Sequence, residues 1–444
     1  MKNVYKLTLL VLLFSVIVVM RVSPVLADEA ADRVRELERI IAAQQTQLSA
    51  QADLLNRLQA EVQNIARSTA NAQTVAVAAG KKAAENQKKI QKVAAPAGVV
   101  ASGNDKVSLK LYGQVNRALL YIDDGATQEI FHVDNDHSST RIGLSGNVKA
   151  NDDLDVGAKI EVQMESNSTA NVNQVNNGSV IASNSFTERH LDLFFDSKSL
   201  GKLSMGQGST ASDGTSQSDL SGTTLVGYSS TSDLAGGISL ATSSTGSITG
   251  NPTLGTVISD MDGLSRNDRL RYDTPSLAGY SVATSWVDGG NVDLALRYAG
   301  KGENSQIAAS LGFANPSGTS STISRQLNGS VSVLLGDRFN LTTAAGRQSM
   351  KVAARNNPDF YYGKLGYIAR LTDLGPTSFA IDFGRYNEVA QNDDELTTFA
   401  VMFVQSYSDW GTDIYGVWRN YDLARPGSSF DDVNAAMIGA RVKF

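Results

Sequence analysis

Apolar residues between positions 34 and 93 recur at every seventh position or a multiple of it. One register holds Val34, Ile41, Leu48, Leu55, Val62, Ala76, Ala83 and Ile90, and an offset register holds Leu37, Leu58, Ile65, Ala72, Ala79 and Val93. A 3.5-residue period keeps one seam facing a partner helix, so the spacing predicts an α-helical coiled coil over residues 28–93. Gln44, Gln51, Thr69 and Asn86 interrupt the seam, and polar residues there set register and strand number at some cost in stability. A lone amphipathic helix lying on a membrane has the same apolar face, but sustained heptad spacing favours self-association. Around Ala-Ala-Pro-Ala-Gly and Ser-Gly-Asn the pattern stops, and residues 94–106 read as a linker.

From residue 107 the period becomes two. Leu154, Val156, Ala158, Ile160, Val162 and Met164 fall on one face, with Asp155, Gly157, Lys159, Glu161, Gln163 and Glu165 on the other. Runs of this kind predict strands near 109–122, 138–149, 153–166, 187–196, 201–208, 265–273, 279–287, 291–300, 305–313, 326–335, 338–348, 359–371, 376–387, 396–406, 411–421 and 434–444. Sixteen is an even number, as a single-chain outer-membrane barrel requires. The expected fold class is therefore an all-β transmembrane barrel of sixteen antiparallel strands over residues 107–444, preceded by the helical coil. A soluble sandwich also alternates. However, Lys159, Glu161, Glu165, Arg269, Arg271, Arg297, Lys364, Arg441 and Lys443 share the face that a sandwich would keep dry, whereas a water-filled lumen solvates them. Tyr121, Phe360, Tyr361, Tyr386, Tyr407 and Tyr421 lie near strand ends, where an aromatic girdle would sit.

The first 27 residues read as a signal peptide: Lys2 and Lys6 precede a short apolar run that Arg21 closes, and Val25-Leu26-Ala27 supplies a cleavage site. The chain has no cysteine and 3 histidines, which leaves little material for zinc or thiol chemistry, and no cofactor or metal is expected. With 39 basic and 45 acidic residues the net charge is −6, so nucleic acid is not an expected partner.

Leu111-Tyr112-Gly113-Gln114, then Ser139-Thr140-Arg141-Ile142-Gly143-Leu144-Ser145-Gly146, then the strand containing Glu161, resemble the opening strands of the general Gram-negative outer-membrane porins. The ending Ile438-Gly439-Ala440-Arg441-Val442-Lys443-Phe444 is similar to that family's terminal strand, whose last aromatic is an assembly signal. An N-terminal coil before such a barrel resembles the architecture of DcaP-like porins. The resemblance implies a homotrimer embedded in outer-membrane lipid, forming a water-filled channel for passive diffusion of ions and small hydrophilic solutes, with the coil in the periplasm. It also implies that the long Gly/Ser/Thr-rich segment before Arg266 folds into the lumen. Arg141, Arg189 and Arg266 then belong to a basic ladder, with Gln114 where a basic residue is usual. Lys159, Glu161, Arg269 and Arg271 line the same wall, and Asp213, Asp219, Asp233, Asp260 and Asp262 are the loop acids available to face it.

Two other readings compete. His190 and Asp192 invite a barrel hydrolase, but no serine partner is identifiable and their parity conflicts with that of Arg189. The coil, basic at Lys81, Lys82, Lys88, Lys89 and Lys92, could make the chain an outer-membrane to cell-wall tether through peptidoglycan.

Overall fold

The computed structural model describes residues 106–175, 186–316 and 321–444. The expected signal peptide and coil, and the linker up to residue 105, lie outside them. The described chain forms one sheet of 17 antiparallel strands. In order these are β1 (Val107–Asp123), β2 (Gln128–Asp134), β3 (Arg141–Lys149), β4 (Leu154–Met164), β5 (Phe186–Ser197), β6 (Gly201–Ser209), β7 (Arg266–Asp273), β8 (Tyr280–Val287) and β9 (Asn291–Lys301). There follow β10 (Ser305–Asn315), β11 (Ile323–Leu335), β12 (Phe339–Met350), β13 (Asp359–Thr372), β14 (Gly375–Asn387), β15 (Glu395–Tyr407), β16 (Thr412–Ala424) and β17 (Val433–Lys443).

β2 and β3 are two halves of one stave. Both pair with β1, at 117–123 and 107–114 of that strand, and a one-turn 3-10 helix, Asp136–Ser138, separates them. The result is the closed sixteen-stave barrel that the alternation predicts. β17 pairs back onto β1, and Phe444 completes the seam: its N–H donates to Gly113 O at 3.0 Å, and Gly113 N–H donates to Phe444 O at 2.9 Å. The Phe444 ring covers Gly113, where a Cβ would come within 2.7 Å of it.

Period two puts Leu296, Val331, Leu341, Leu365, Ile381, Phe383, Val401 and Trp418 on the outer surface, all exposed, as a lipid-facing band needs. The same parity corrects part of the aromatic girdle. Tyr361 faces out, 56% exposed, but Phe360, Tyr386 and Tyr421 are buried and point inward.

What buries them is the segment between β6 and β7, residues 210–265. No charged residue occurs between Leu234 and Ser259. Leu234, Ile238, Leu240 and Leu254 are fully buried, packed in one cluster with Leu120, Ile122, Phe131, Val133, Leu396 and Val433 of the barrel wall. Removing each such side chain from water is worth about 1.5–3 kcal/mol, which holds the loop inside the barrel without long secondary structure. Its regular pieces are one 3-10 turn, Thr231–Leu234, and one α-turn, Leu254–Val257.

A bulge removes the parity conflict in β5. Glu161 opposes His190 and Val162 opposes Glu188, leaving Arg189 unopposed. The extra residue lets Arg189, His190 and Asp192 all turn to the lumen while Leu191, Leu193 and Phe195 stay outside.

Candidate functional site

The loop is fastened to the inner wall strand by strand. Ala211 N–H donates to Ser285 Oγ of β8 at 2.6 Å, and Ser212 N–H donates to Asp293 of β9 at 2.8 Å. Arg297 donates to the Ala211 and Asp213 carbonyls at 2.6 and 2.9 Å. Ser218 and Leu220 N–H donate to Ser330 and Ser332 of β11, both at 2.9 Å. Small hydroxyl side chains at these wall positions let the loop backbone approach closely. Tyr386 of β14 donates to Ser229 O at 2.6 Å, Tyr421 of β16 to Thr231 O at 2.7 Å, and Asn135, between β2 and β3, to Leu225 O at 2.8 Å. At the centre of this arc Lys364 Nζ of β13 meets Asp219 at 2.7 Å, both side chains essentially inaccessible, and also donates to Gly227 O at 2.5 Å.

No described hydrogen bond or ion pair joins the loop to β3, β4 or β5. That stretch of wall carries the basic residues. Glu161 sits at their centre: it accepts from Arg189 Nε at 2.8 Å and Tyr112 OH at 2.8 Å, with Lys159 Nζ at 3.5 Å and Arg141 Nε at 4.0 Å. Arg189 also donates to Gln163 at 2.8 Å. Arg266, at the start of β7, lies 4.0 Å from Asp213. Four cations thus share two carboxylates.

The structure brings Arg141, Lys159, Glu161 and Arg189 together, with Asp213 beside Arg266. Arg269 and Arg271 lie lower on the wall, paired with Asp192 and Asp273, each at 2.6 Å. The other loop acids point away from the ladder. Asp219 is committed to Lys364. Asp233 accepts from Tyr228 at 2.5 Å and Ser230 at 2.7 Å, and burial, reinforced by Asp136, pushes its carboxyl up to about 8. Asp260 accepts from Ser216, Gln217 and Ser229, Asp262 from Gly214 N–H, and burial raises both carboxyls. Gln114 is structural: its amide donates to Ser138 O, Ser138 Oγ and Ser139 O at 2.8–2.9 Å, pinning the break between β2 and β3. His190 Nδ1 is 4.0 Å from Asp192, whose other oxygen is held by Arg269, so no hydrogen bond orients the imidazole as a hydrolase would need. The Lys364–Asp219 pair and a second buried pair, Arg419–Asp382 at 2.7 Å, join residues far apart in the sequence, which no motif marks as partners. For Lys364, Asp382 and Arg419 the only sequence signal is a charge in mid-strand on the lumen parity, and Asp219, in the loop, has none.

A closed barrel, apolar outside and charged inside, narrowed by an in-folded loop, is a diffusion channel of the outer membrane. The sequence matches the family model for Gram-negative porins over residues 68–424. The chain belongs to that family, and family and fold together point to a channel for solutes. Among solved structures it is similar to an anion-selective porin from Comamonas acidovorans, with a TM-score of 0.54 and 14% identity over 76% of this chain and 100% of that one. It is also similar to in-vitro folded OmpT, an outer membrane protein of Vibrio cholerae, with a TM-score of 0.50 and 16% identity over 78% and 100%. The outer membrane channel DcaP of Acinetobacter baumannii matches with a TM-score of 0.48 and 14% identity over 78% and 99%. At these identities the likeness is one of fold. No curated protein matches the chain.

Proposed function

We propose that solutes cross this porin between the in-folded loop and the wall of β3, β4 and β5, past Arg141, Lys159, Arg189 and Arg266, and that the passage favours anions. The observation that carries this reading is the distribution of loop anchors: they run from β8 through β16 to the β2–β3 break and leave the basic wall free. Charge at a narrowing governs selectivity because the field is focused there, whereas charges on outer loops are screened. The assembly is proposed as a homotrimer with the N-terminal coil in the periplasm.

Because the chain has no cysteine, single thiols can map the path. Arg141→Cys and Lys159→Cys should react with a charged thiosulfonate and lose current in planar bilayers. Thr231→Cys, beneath Tyr386 and Tyr421, should not. Rapid reaction at Thr231 with protection at Arg141 would place the passage elsewhere.

A further inference from the structure

On the outer surface, within the lipid-facing band, β10 to β13 carry an apolar depression of about 630 Å³. Leu311, Val331 and Ala345 line it. Tyr280 and Tyr298, with ring centroids 4.6 Å apart, bound it on the side of the short turns, and Tyr361 bounds it on the side of the long loops. The wall is low here because Gly329 opposes Ala345 and Thr343 opposes Gly363, where a Cβ would meet nothing within 4 Å. One step further along the same face, towards the long loops, the opposed pair Ala345 and Tyr361 gives way to Arg347 and Asp359. These two line a second cavity, polar and of about 710 Å³, together with Asn356, Arg385, Asn387 and Glu388. An apolar trough and a polar cavity thus adjoin where the lipid band meets the rim.

Most charges around the polar cavity are committed to one another. Arg385 pairs with Glu395 at 2.6 Å, and Asp394 with Arg425 at 2.7 Å. Arg355 donates to Asn392 and to the carbonyls of Glu388 and Val389, and Asp359 accepts from Asn387 at 2.6 Å. Arg347 and Arg325 are different. They lie diagonally across β12 and β11 on the outer face, both exposed, and Arg325 Nε donates to Ser349 Oγ at 3.2 Å. Among the described residues no carboxylate lies within ion-pair distance of either guanidinium.

Two arginines without counter-ions at the edge of the lipid band attract an anionic headgroup. The carboxylates and amides beside them bond hydroxyls, but they repel a head that offers phosphate alone. The trough below takes a hydrocarbon chain. These features fit one amphiphile, a lipid with acyl chains, sugar hydroxyls and phosphate, and the long loops place it in the outer leaflet. We infer that this face holds one phosphorylated glycolipid of the outer leaflet. An acyl chain lies in the depression, a phosphate sits on Arg325 and Arg347, and sugar hydroxyls meet Asn356, Asp359 and Asn387. Bulk lipid is as apolar as the trough, so the chain adds fit while the head supplies most of the preference. The inference goes beyond the channel reading and does not depend on where solutes pass.

The test uses the full chain folded in detergent, titrated separately with bisphosphorylated lipid A and with phosphatidylglycerol, and reads bound lipid by native mass spectrometry. The wild type should hold one lipid A per barrel, and hold it more tightly than phosphatidylglycerol. Two cationic contacts at about 1 kcal/mol each convert to roughly thirty-fold, so Arg325→Gln with Arg347→Gln should raise the half-occupancy concentration of lipid A by that factor. Ala345→Phe, which fills the depression and leaves the head contacts in place, should also weaken retention. Val401→Phe, a similar enlargement on the outer face of β15, should not. Heat-modifiable migration reports whether each variant folds, and single-channel conductance should stay at the wild-type value in all of them. Equal retention of the two lipids by the wild type, or lipid A binding that both the arginine pair and Ala345→Phe leave unchanged, overturns the inference. Loss of oligomer mass in Ala345→Phe with lipid A still bound would assign this face to a neighbouring copy of the chain and overturn it as well.

Discussion

Asp233 donates nothing to the lumen's charge because its carboxyl is enclosed by Tyr228 and Ser230, with burial first and Asp136 second raising it to about 8. An unfolded aspartate titrates near 4. Between those values the folded protein binds a proton that the unfolded chain has lost, so stability falls as pH rises. The contribution is complete below about pH 4 and gone above about pH 8. Raising pH through this window should therefore loosen the loop, seen as growing open-channel noise, and Asp233→Asn should make the pH dependence shallower. Identical pH profiles for wild type and variant would contradict this account of the residue. Legibility at this scale follows distance along the chain. Glu161 and Lys159 share a parity within one strand and could be read as neighbours. Asp219 could not be placed, because the residue that holds it, Lys364, lies far along the sequence and only the closed barrel brings the two together.

Strands were the most readable elements, since alternation reports directly which side of a barrel wall is wet. All sixteen staves appear where the period of two puts them. The second starts earlier than expected, with β2 added above the one-turn break that Gln114 and Asn135 fasten. Alternation also assigns one residue per step, and so it fails where a bulge inserts an extra one, as at Arg189. The loop was legible by position and length but not by role. Its apolar residues lack any period, and strand-end position alone makes their partners, Phe360, Tyr386 and Tyr421 among them, look like girdle aromatics, whereas their parity turns them inward. The anchoring of this loop depends on the Lys364–Asp219 pair. Breaking a buried ion pair on one side strands a charge and costs about 3–5 kcal/mol, while replacing both partners by apolar groups of similar size is often neutral. Lys364→Met should thus give a noisier channel of larger conductance, and Lys364→Met with Asp219→Leu should restore a quiet one. A quiet single variant would show that this pair does not hold the loop.

For the whole molecule, the threefold arrangement proposed for the barrel and the heptads of residues 28–93 make one joint claim: three linkers leaving one trimer would hold three helices at an effective concentration in the millimolar range. A cysteine replacing Leu48 or Leu58 in the intact protein should crosslink between subunits. A trimeric barrel in which neither position crosslinks would contradict the coil.

The central claim concerns charge at the narrowing. The net charge of −6 would favour cations if charge acted uniformly, but Asp219, Asp233, Asp260 and Asp262 are enclosed within the loop, and the open wall shows Arg141, Lys159, Arg189 and Arg266 against Glu161 and Asp213. The most direct measurement is the reversal potential of the reconstituted wild-type channel in a KCl gradient. The account predicts the sign of an anion-selective pore, moved towards zero by Arg141→Gln with Arg189→Gln. A cation-selective potential that those substitutions leave unchanged would contradict it.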